Sequence, residues 1–481
     1  MSKTTVIIKR LRRRQDRGNL ATFRPLDKEV TAEINVVVKE ILDNLGGKEL
    51  LKSSGDVYIK PNAIDSRPYT YTRPEVIEAV IRYWFAAGAR NVYLIENSTQ
   101  GTYTRLVFEL TGYRAICKRT GAIPVYLDEA KTVTLEFPVK GRASKADESS
   151  YDLTEFQIPR IVAEKLINEK DKNLYINLPK LKTHSMGIVT LGIKNQWGFP
   201  RHADRSADHN YNLHSKIVDV LSYVRPDITL IEGVEGTIYG HYPVLKFADR
   251  CVKPFGVLIG GLNVVATDIV GAAVFGLHVD DVPSIKMAIE RGLSDDISKA
   301  NEIELVGDFS DIDHIDVMGD ISEYGGKYPF DLYPEFPGDV AIIRGKEKAC
   351  KEGCVNNPLT LLQVLSYDFN GRGGWSLVMG KGFDPVEIEG VKGPVLIVGK
   401  CAIAEVSDTL LSRLGKGKVY LSGECNDLRA TTEAMCHLTK VNPMKFVAAN
   451  PVTVLKILIH ANLHRTNAKL VNPACSILKM R

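Results

Sequence analysis

VYIKPNAIDSRPYTYTRPEVIEAVIRYWFAAGA, residues 57–89, decides the fold class. Val57, Tyr58 and Ile59 are strand formers, and the run stops in Lys60, Pro61 and Asn62. Beyond a polar connection, Val76, Ile77, Val80, Ile81 and Trp84 recur at helical spacing. Thr72 is placed to cap that helix, Pro74 lies in its first turn, and Gly88 ends it. A strand followed directly by a helix is half of a parallel crossover.

The same alternation continues outward. NVYLIENS (91–98), AIPVYLD (122–128), LYINLPK (174–180), DITLIEG (227–233) and PFGVLIGG (254–261) read as strands. TRLVFELTGYRAICKRTG (104–121) and ATDIVGAAVFGL (266–277) read as helices, the second buried because its small residues allow close packing. The segment 129–160 reads as a β-rich excursion with a polar centre. We therefore expect an α/β protein, with a Rossmann-like parallel sheet over 1–345 and a smaller C-terminal α/β module over 346–481. That module holds KACKEGC, the helix NPLTLLQVL, strands in PVLIVGKCAIAEV and KVYLSGEC, and two final helical segments.

The chain has 481 residues, enough for two or three domains, and its 44% hydrophobic content supplies a core. With 62 Lys and Arg against 58 Asp and Glu, the charge balance does not call for nucleic acid. The basic run KRLRRRQDR (9–17) is expected to be a solvated edge following the strand TTVIIK. No stretch approaches the ~20 apolar residues of a membrane span, so no membrane partner is expected. Eight dispersed cysteines without secretory marking read as reduced thiols or ligands in a cytoplasm. Beyond a small anionic ligand, the partners compatible with such a chain are a homo-oligomeric copy or a redox protein.

The strand ends carry the functional signal. Lys60 and Asn62, then Glu96, Asn97 and Ser98, then Lys180, Lys182 and His184, then Glu232 all follow apolar strands. Ligands of doubly wound sheets bind beyond the carboxyl ends of the strands, so these groups are expected to meet in one cleft. Lys60, Arg73, Lys180 and Lys182 would select an anion, with Glu96, Asn97 and Glu232 orienting them. Lys194 sits inside an apolar stretch between Gly192 and Asn195. A lysine there must be paired or lose its proton easily, which suits anion binding, covalent chemistry or proton transfer; its bland alternative is a side chain reaching to solvent. HADRSADHNYNLH (202–214) supplies His202, His209 and His214, either as metal ligands or as a polar lid. His184 and His209 are also candidate acid–base groups. Cys350, Cys354, Cys401 and Cys425 could hold a [4Fe–4S] cluster, with inert buried thiols as the alternative.

The segments VYIKPN, NVYLIENS, INLPKLKTH…VTLGIKNQWG, ITLIEGVEG and NVVATDIVGAAVFGL, in this order over roughly 50–310, resemble the domain of unknown function 362 family. Some members of that family carry iron–sulfur clusters. His184 and Lys194, ten positions apart, are also similar to the histidine and glycine-flanked lysine of the nickel-pincer lactate racemase family. That similarity implies an organometallic cofactor on Lys194, a nickel ligand at His209, and a substrate-binding arginine between Asn62 and Arg73. The sequence departs from the racemase pattern at Asn195 and in ENSTQGTYTR, which has no second catalytic histidine. The resulting expectation is an enzyme that moves a proton or hydride next to a carboxylate by means of Lys194 and His184. An iron–sulfur redox or accessory protein, and a non-enzymatic binding or scaffold protein, are the alternatives.

Overall fold

A computed structural model describes residues 4–13, 20, 23–99, 101–140, 142, 154–207, 212–295, 302–308, 331–423, 425, 427–447 and 450–476. Its larger sheet has eleven strands. The main path runs Ile303–Gly307, Thr4–Arg10, Val257–Gly261, Ile228–Thr237, Leu174–Leu178, Asp56–Pro61, Asn91–Glu96, Ile123–Tyr126. From Ile228–Thr237 to Ile123–Tyr126 every neighbour is parallel, as the βα alternation predicts. Val57 and Ile59 are fully buried and Tyr58 nearly so, which explains their unbroken apolar run: helices cover both faces. Helices Lys28–Asn44 and Pro74–Ala87 pack on one face, and Leu213–Tyr223 and Val264–Ala273 on the other.

The Val257–Gly261 strand departs from the expected parallel order. It runs antiparallel to both Thr4–Arg10 and Ile228–Thr237. A strand buried on both faces has the same apolar pattern in either direction, so side chains alone do not record this.

Helix Pro74–Ala87 forms where expected and ends at Gly88, whose φ of 104° suits glycine. Thr72 does not cap it. Its hydroxyl donates to the Leu178 carbonyl at 2.8 Å and accepts the Asn62 N–H at 3.0 Å, tying two adjacent strand ends together. The 129–160 excursion holds an antiparallel pair, Thr132–Glu136 with Glu155–Pro159.

A second sheet of four parallel strands, Val340–Arg344, Trp375–Met379, Val395–Val398 and Val419–Leu421, builds the C-terminal module. Its first strand lies just before residue 345. In GKCAIAEV the strand stops at Val398, and Gly399 (φ 87°) turns the chain into helix Lys400–Leu414. The two modules are joined by the Arg67–Asp368 ion pair and by the Asn356 amide on the Ser185 carbonyl.

Of the basic run, Arg12 and Arg13 donate backbone N–H groups to Glu33 at 2.7 and 2.8 Å, and Lys9 meets Glu40 at 3.2 Å. The described part of the run therefore lies along the acidic side of helix Lys28–Asn44, and residues 14–17 lie outside the described set. No helix among the described residues is long and apolar enough to cross a membrane. All eight cysteines are free thiols.

Candidate active site in a cationic cleft

Register brings the first polar groups together. Lys60 pairs with Asn177 across adjacent strands, and the next strand over ends in Glu96. Lys60 Nζ lies 2.8 Å from Glu96 Oε1, both side chains being almost fully buried. The other Glu96 oxygen accepts the Ala63 N–H at 3.1 Å, and the Asn97 N–H donates to Oε1 at 2.7 Å. A Cβ on Gly198 would stand 2.8 Å from Lys60 Nζ and 3.1 Å from Glu96 Oε1, so a side chain here would crowd this pair.

Lys194 is delivered by a one-turn helix, Gly192–Asn195. Asp268 holds that turn: its two oxygens accept the Gly192 and Ile193 N–H groups at 2.7 and 2.8 Å. Asp268 therefore caps the turn carrying Lys194, whereas Asn263 caps the helix in which Asp268 itself lies. Burial raises the Asp268 carboxyl to about 7, against the pull of those two N–H groups. A Cβ on Gly192 would approach Val264 at 2.7 Å and Asp268 at 2.8 Å. An amide chain completes the mount, with Asn195 donating to Asn177 Oδ1 at 2.8 Å and Asn62 donating to Asn195 Oδ1 at 3.1 Å.

Lys60, Asn62, Glu96, Asn97, Lys194 and Asn195 line a cavity of about 100 Å³. Lys194, partly exposed to it, has no hydrogen-bond partner for its ammonium among the described residues. Burial, then Arg205 and Lys60, brings Lys194 down to about 7. Lys182 donates to the Thr70 carbonyl at 2.7 Å, and burial, then Lys180 and Lys194, pushes it well below the usual lysine range. Burial also lowers Lys60, against the opposing charge of Glu96. Arg205 donates to the Ser98 carbonyl at 2.7 Å and is lowered to about 10 by burial. Four cations thus face one carboxylate, Glu96, among the lining residues.

His184 also lines the cavity, stacked on His241 with ring centroids 3.8 Å apart. Its Nδ1 accepts the Met186 and Gly187 N–H groups at 3.1 and 3.0 Å. An accepting Nδ1 carries no proton, so the ring proton is on Nε2 and His184 serves as a neutral donor.

The structure brings Lys60, Asn62, Glu96, Asn97, Lys182, His184, Lys194 and Asn195 to the cavity wall. Others are placed elsewhere. Arg73 grips Glu235 with Nε and Nη2 at 2.9 and 2.6 Å and stacks on Phe23, so it braces the strand end and does not line the cavity. Lys180 and Glu232 form a fully buried pair at 2.8 Å, and Glu232 also accepts the Arg73 and Val234 N–H groups. Ser98 contributes its carbonyl, and its N–H donates to Thr104 at 3.0 Å. His202 is buried, its imidazole pushed far down by burial and then Arg205. His214 is held to about 4 by burial and then Lys194. His209 lies outside the described residues.

Among the described residues no group of three or more His, Cys, Asp or Glu side chains is arranged to hold a metal ion. The charged groups that act on Lys194 are the cations Arg205 and Lys60. In the C-terminal module Cys354 is buried, and its thiol is raised to about 12 by burial and then by Cys350 and Cys425. A Cβ on Gly399 would touch the Cys354 Cβ at 3.1 Å and the Cys425 Cα at 3.9 Å; Cys401 lies two positions on, at the start of its helix. Sequence reasoning missed Arg205 and His241 in the cleft. It also left Cys436 and Cys475 ungrouped, although their thiols share a hydrogen bond.

Fold and site together define an α/β protein with a cation-rich cleft beyond the strand ends of a mostly parallel sheet. Residues 57–273, which supply most of that cleft, match the family described as "Domain of unknown function (DUF362)". A thylakoid-associated protein of Synechocystis sp. is 24% identical over 273 residues, 53% of this chain and 74% of its own. A crystal structure of a protein from Thermotoga maritima superposes with a TM-score of 0.36 at 11% identity, covering 89% of this chain and 85% of that one.

Proposed function

We propose that the cleft binds a small carboxylate-bearing anion and that Lys194 and His184 move a proton at the carbon beside the carboxylate. The supporting observation is the charge of the wall: Lys60, Lys182, Lys194 and Arg205 opposed by Glu96 alone. Burying cations without counter-charges is costly, and an anion supplies the missing partner. A lysine titrating at about 7 is half neutral at neutral pH, as a general base requires. In the fraction of the complex whose Lys194 has lost its proton, the neutral amine takes the proton as the C–H bond breaks, and the electron pair delocalises onto the carboxylate. Lys182 and Arg205 hold that growing charge, and His184 Nε2–H donates to it. Return of a proton to the opposite face of that carbon gives racemisation, whereas return to the same face gives exchange alone.

The test is exchange of solvent deuterium into the α-carbon of lactate, malate and related short acids, followed by NMR. The wild-type protein should exchange at least one of them. Lys194→Ala should lose exchange while carboxylates still raise its thermal stability. Carboxylate binding without exchange by either protein would instead identify a non-enzymatic ligand-binding protein.

The nearness of Cys354 and Cys425 at Gly399, and the effect of Cys350 and Cys425 on the Cys354 thiol, motivate a second reading, an iron–sulfur redox or accessory role for the C-terminal module, for which the thiols would have to draw together. Iron and acid-labile sulfide in protein purified without oxygen, lost in Cys354→Ser, would support it. Protein free of both would refute it.

A further inference from the structure

The last helix, Pro451–Leu463, is apolar on two opposite sides. One side buries Val454, Ile457 and Ala461 and packs on helix Thr104–Leu110. The other presents Val452, Leu455, Ile459 and Leu463 outward, each more than half exposed. At ~100° per residue those four positions form one stripe along the whole helix. Scattered exposed apolar residues need no explanation, but a continuous stripe does.

The surroundings of the stripe select what covers it. Residues 434–481 contain five Lys, two Arg and no Asp or Glu. Lys445, Lys456, Arg465 and Lys469 are exposed, as are His460 and His464. An apolar stripe in a segment that carries cations and no acidic residue of its own is the pattern of a helix lying in the interface of an anionic bilayer. A two-fold contact between two copies through this face would place these cations against one another. At thirteen residues the helix is about 20 Å long, too short to span a bilayer but long enough to lie on one.

The helix is also held in place to do this. Asn450 caps its start, accepting the Val452 N–H at 2.9 Å. Beyond its end, Thr466 and Asn467 both donate to the Asp128 carbonyl at 2.9 Å. The inner face stays on the protein while the outer face points away.

We infer that helix Pro451–Leu463 docks the protein peripherally on anionic lipid, with Val452, Leu455, Ile459 and Leu463 inserted and the neighbouring cations on headgroups. The test is co-sedimentation of the full chain with phosphatidylcholine vesicles, with and without phosphatidylglycerol. Binding should require phosphatidylglycerol and weaken with salt. Leu455→Glu combined with Leu463→Glu should lower the partition coefficient about tenfold or more. These positions face outward, so the variant should keep the wild-type circular dichroism and melting curve. No binding to anionic vesicles, equal binding to neutral ones, or undiminished binding by the variant would each overturn the inference. So would a dimer in light scattering that the variant abolishes while vesicle binding is absent, since the face would then belong to a second copy.

Discussion

Lys180 and Lys182 stand two residues apart on one strand, both fully buried, and they do opposite things. Lys180 meets the Glu232 carboxylate at 2.8 Å, and Glu232 in turn accepts two backbone N–H groups. Among the described residues Lys182 donates to the Thr70 carbonyl alone; it shares its surroundings with Lys194 and faces a cavity. The closed set, Lys180, Glu232, Arg73 and Glu235, is neutralised within the protein and fixes the strand ends. The open set, Lys60, Lys182, Lys194 and Arg205, is positioned with equal care but left short of negative charge. Burial alone therefore does not separate the two sets; the missing counter-charge does.

The contrast is broken most severely from the closed side. Glu232→Gln leaves Lys180 buried without a counter-ion and should destabilise the protein by about 3–5 kcal/mol in denaturant unfolding. Next in size is the mount of the open set. Gly192→Ala pushes a methyl group into Val264, Asp268 and Thr229, and should cost about 1–3 kcal/mol with loss of deuterium exchange.

Substitution within the open set should have the reverse sign. The folded-state value of Lys194, about 7, lies below its ordinary 10.5, so protonated Lys194 opposes folding. That penalty is complete below pH 7, shrinks as pH rises, and is gone above 10.5. Lys194→Met should accordingly raise stability at pH 6 by about 1–2 kcal/mol, and the gain should fade through alkaline pH. A stability loss at pH 6 would place Lys194 with the closed set. The smallest effect expected is on affinity: carboxylate binding should be flat below pH 7 and fall about tenfold per unit above it, as Lys194 loses its proton.

Much of the open set could be read from the sequence, because strand ends are punctuated by residue type. Lys60, Asn62, Glu96, Asn97, Lys182 and His184 each follow an apolar run, and that placement alone directs them to one edge of the sheet. The sorting into open and closed could not be read. Arg73 has the chemistry of an anion anchor, but its partner Glu235 arrives from 162 positions away. His241 follows the long Ile228–Thr237 strand through a turn at Tyr239 and Gly240, both at positive φ; extending the strand-end rule to that strand would have found it. Arg205 was hidden by the histidines around it, and its role depends on how helix His202–Ala207 lies over the carbonyls of Asn97 and Ser98. The direction of Val257–Gly261 was equally invisible, since its hydrogen-bonding sense leaves no trace in its side chains.

The central claim is that the open set lacks an anion, and proton uptake on binding tests it most directly. Calorimetric titration of a binding carboxylate at pH 8, in two buffers of different ionisation enthalpy, counts the protons taken up. The account predicts an uptake approaching one proton per ligand at pH 8, vanishing at pH 5.5 and absent in Lys194→Met. Binding at pH 8 with no proton uptake, or with proton release, would contradict it.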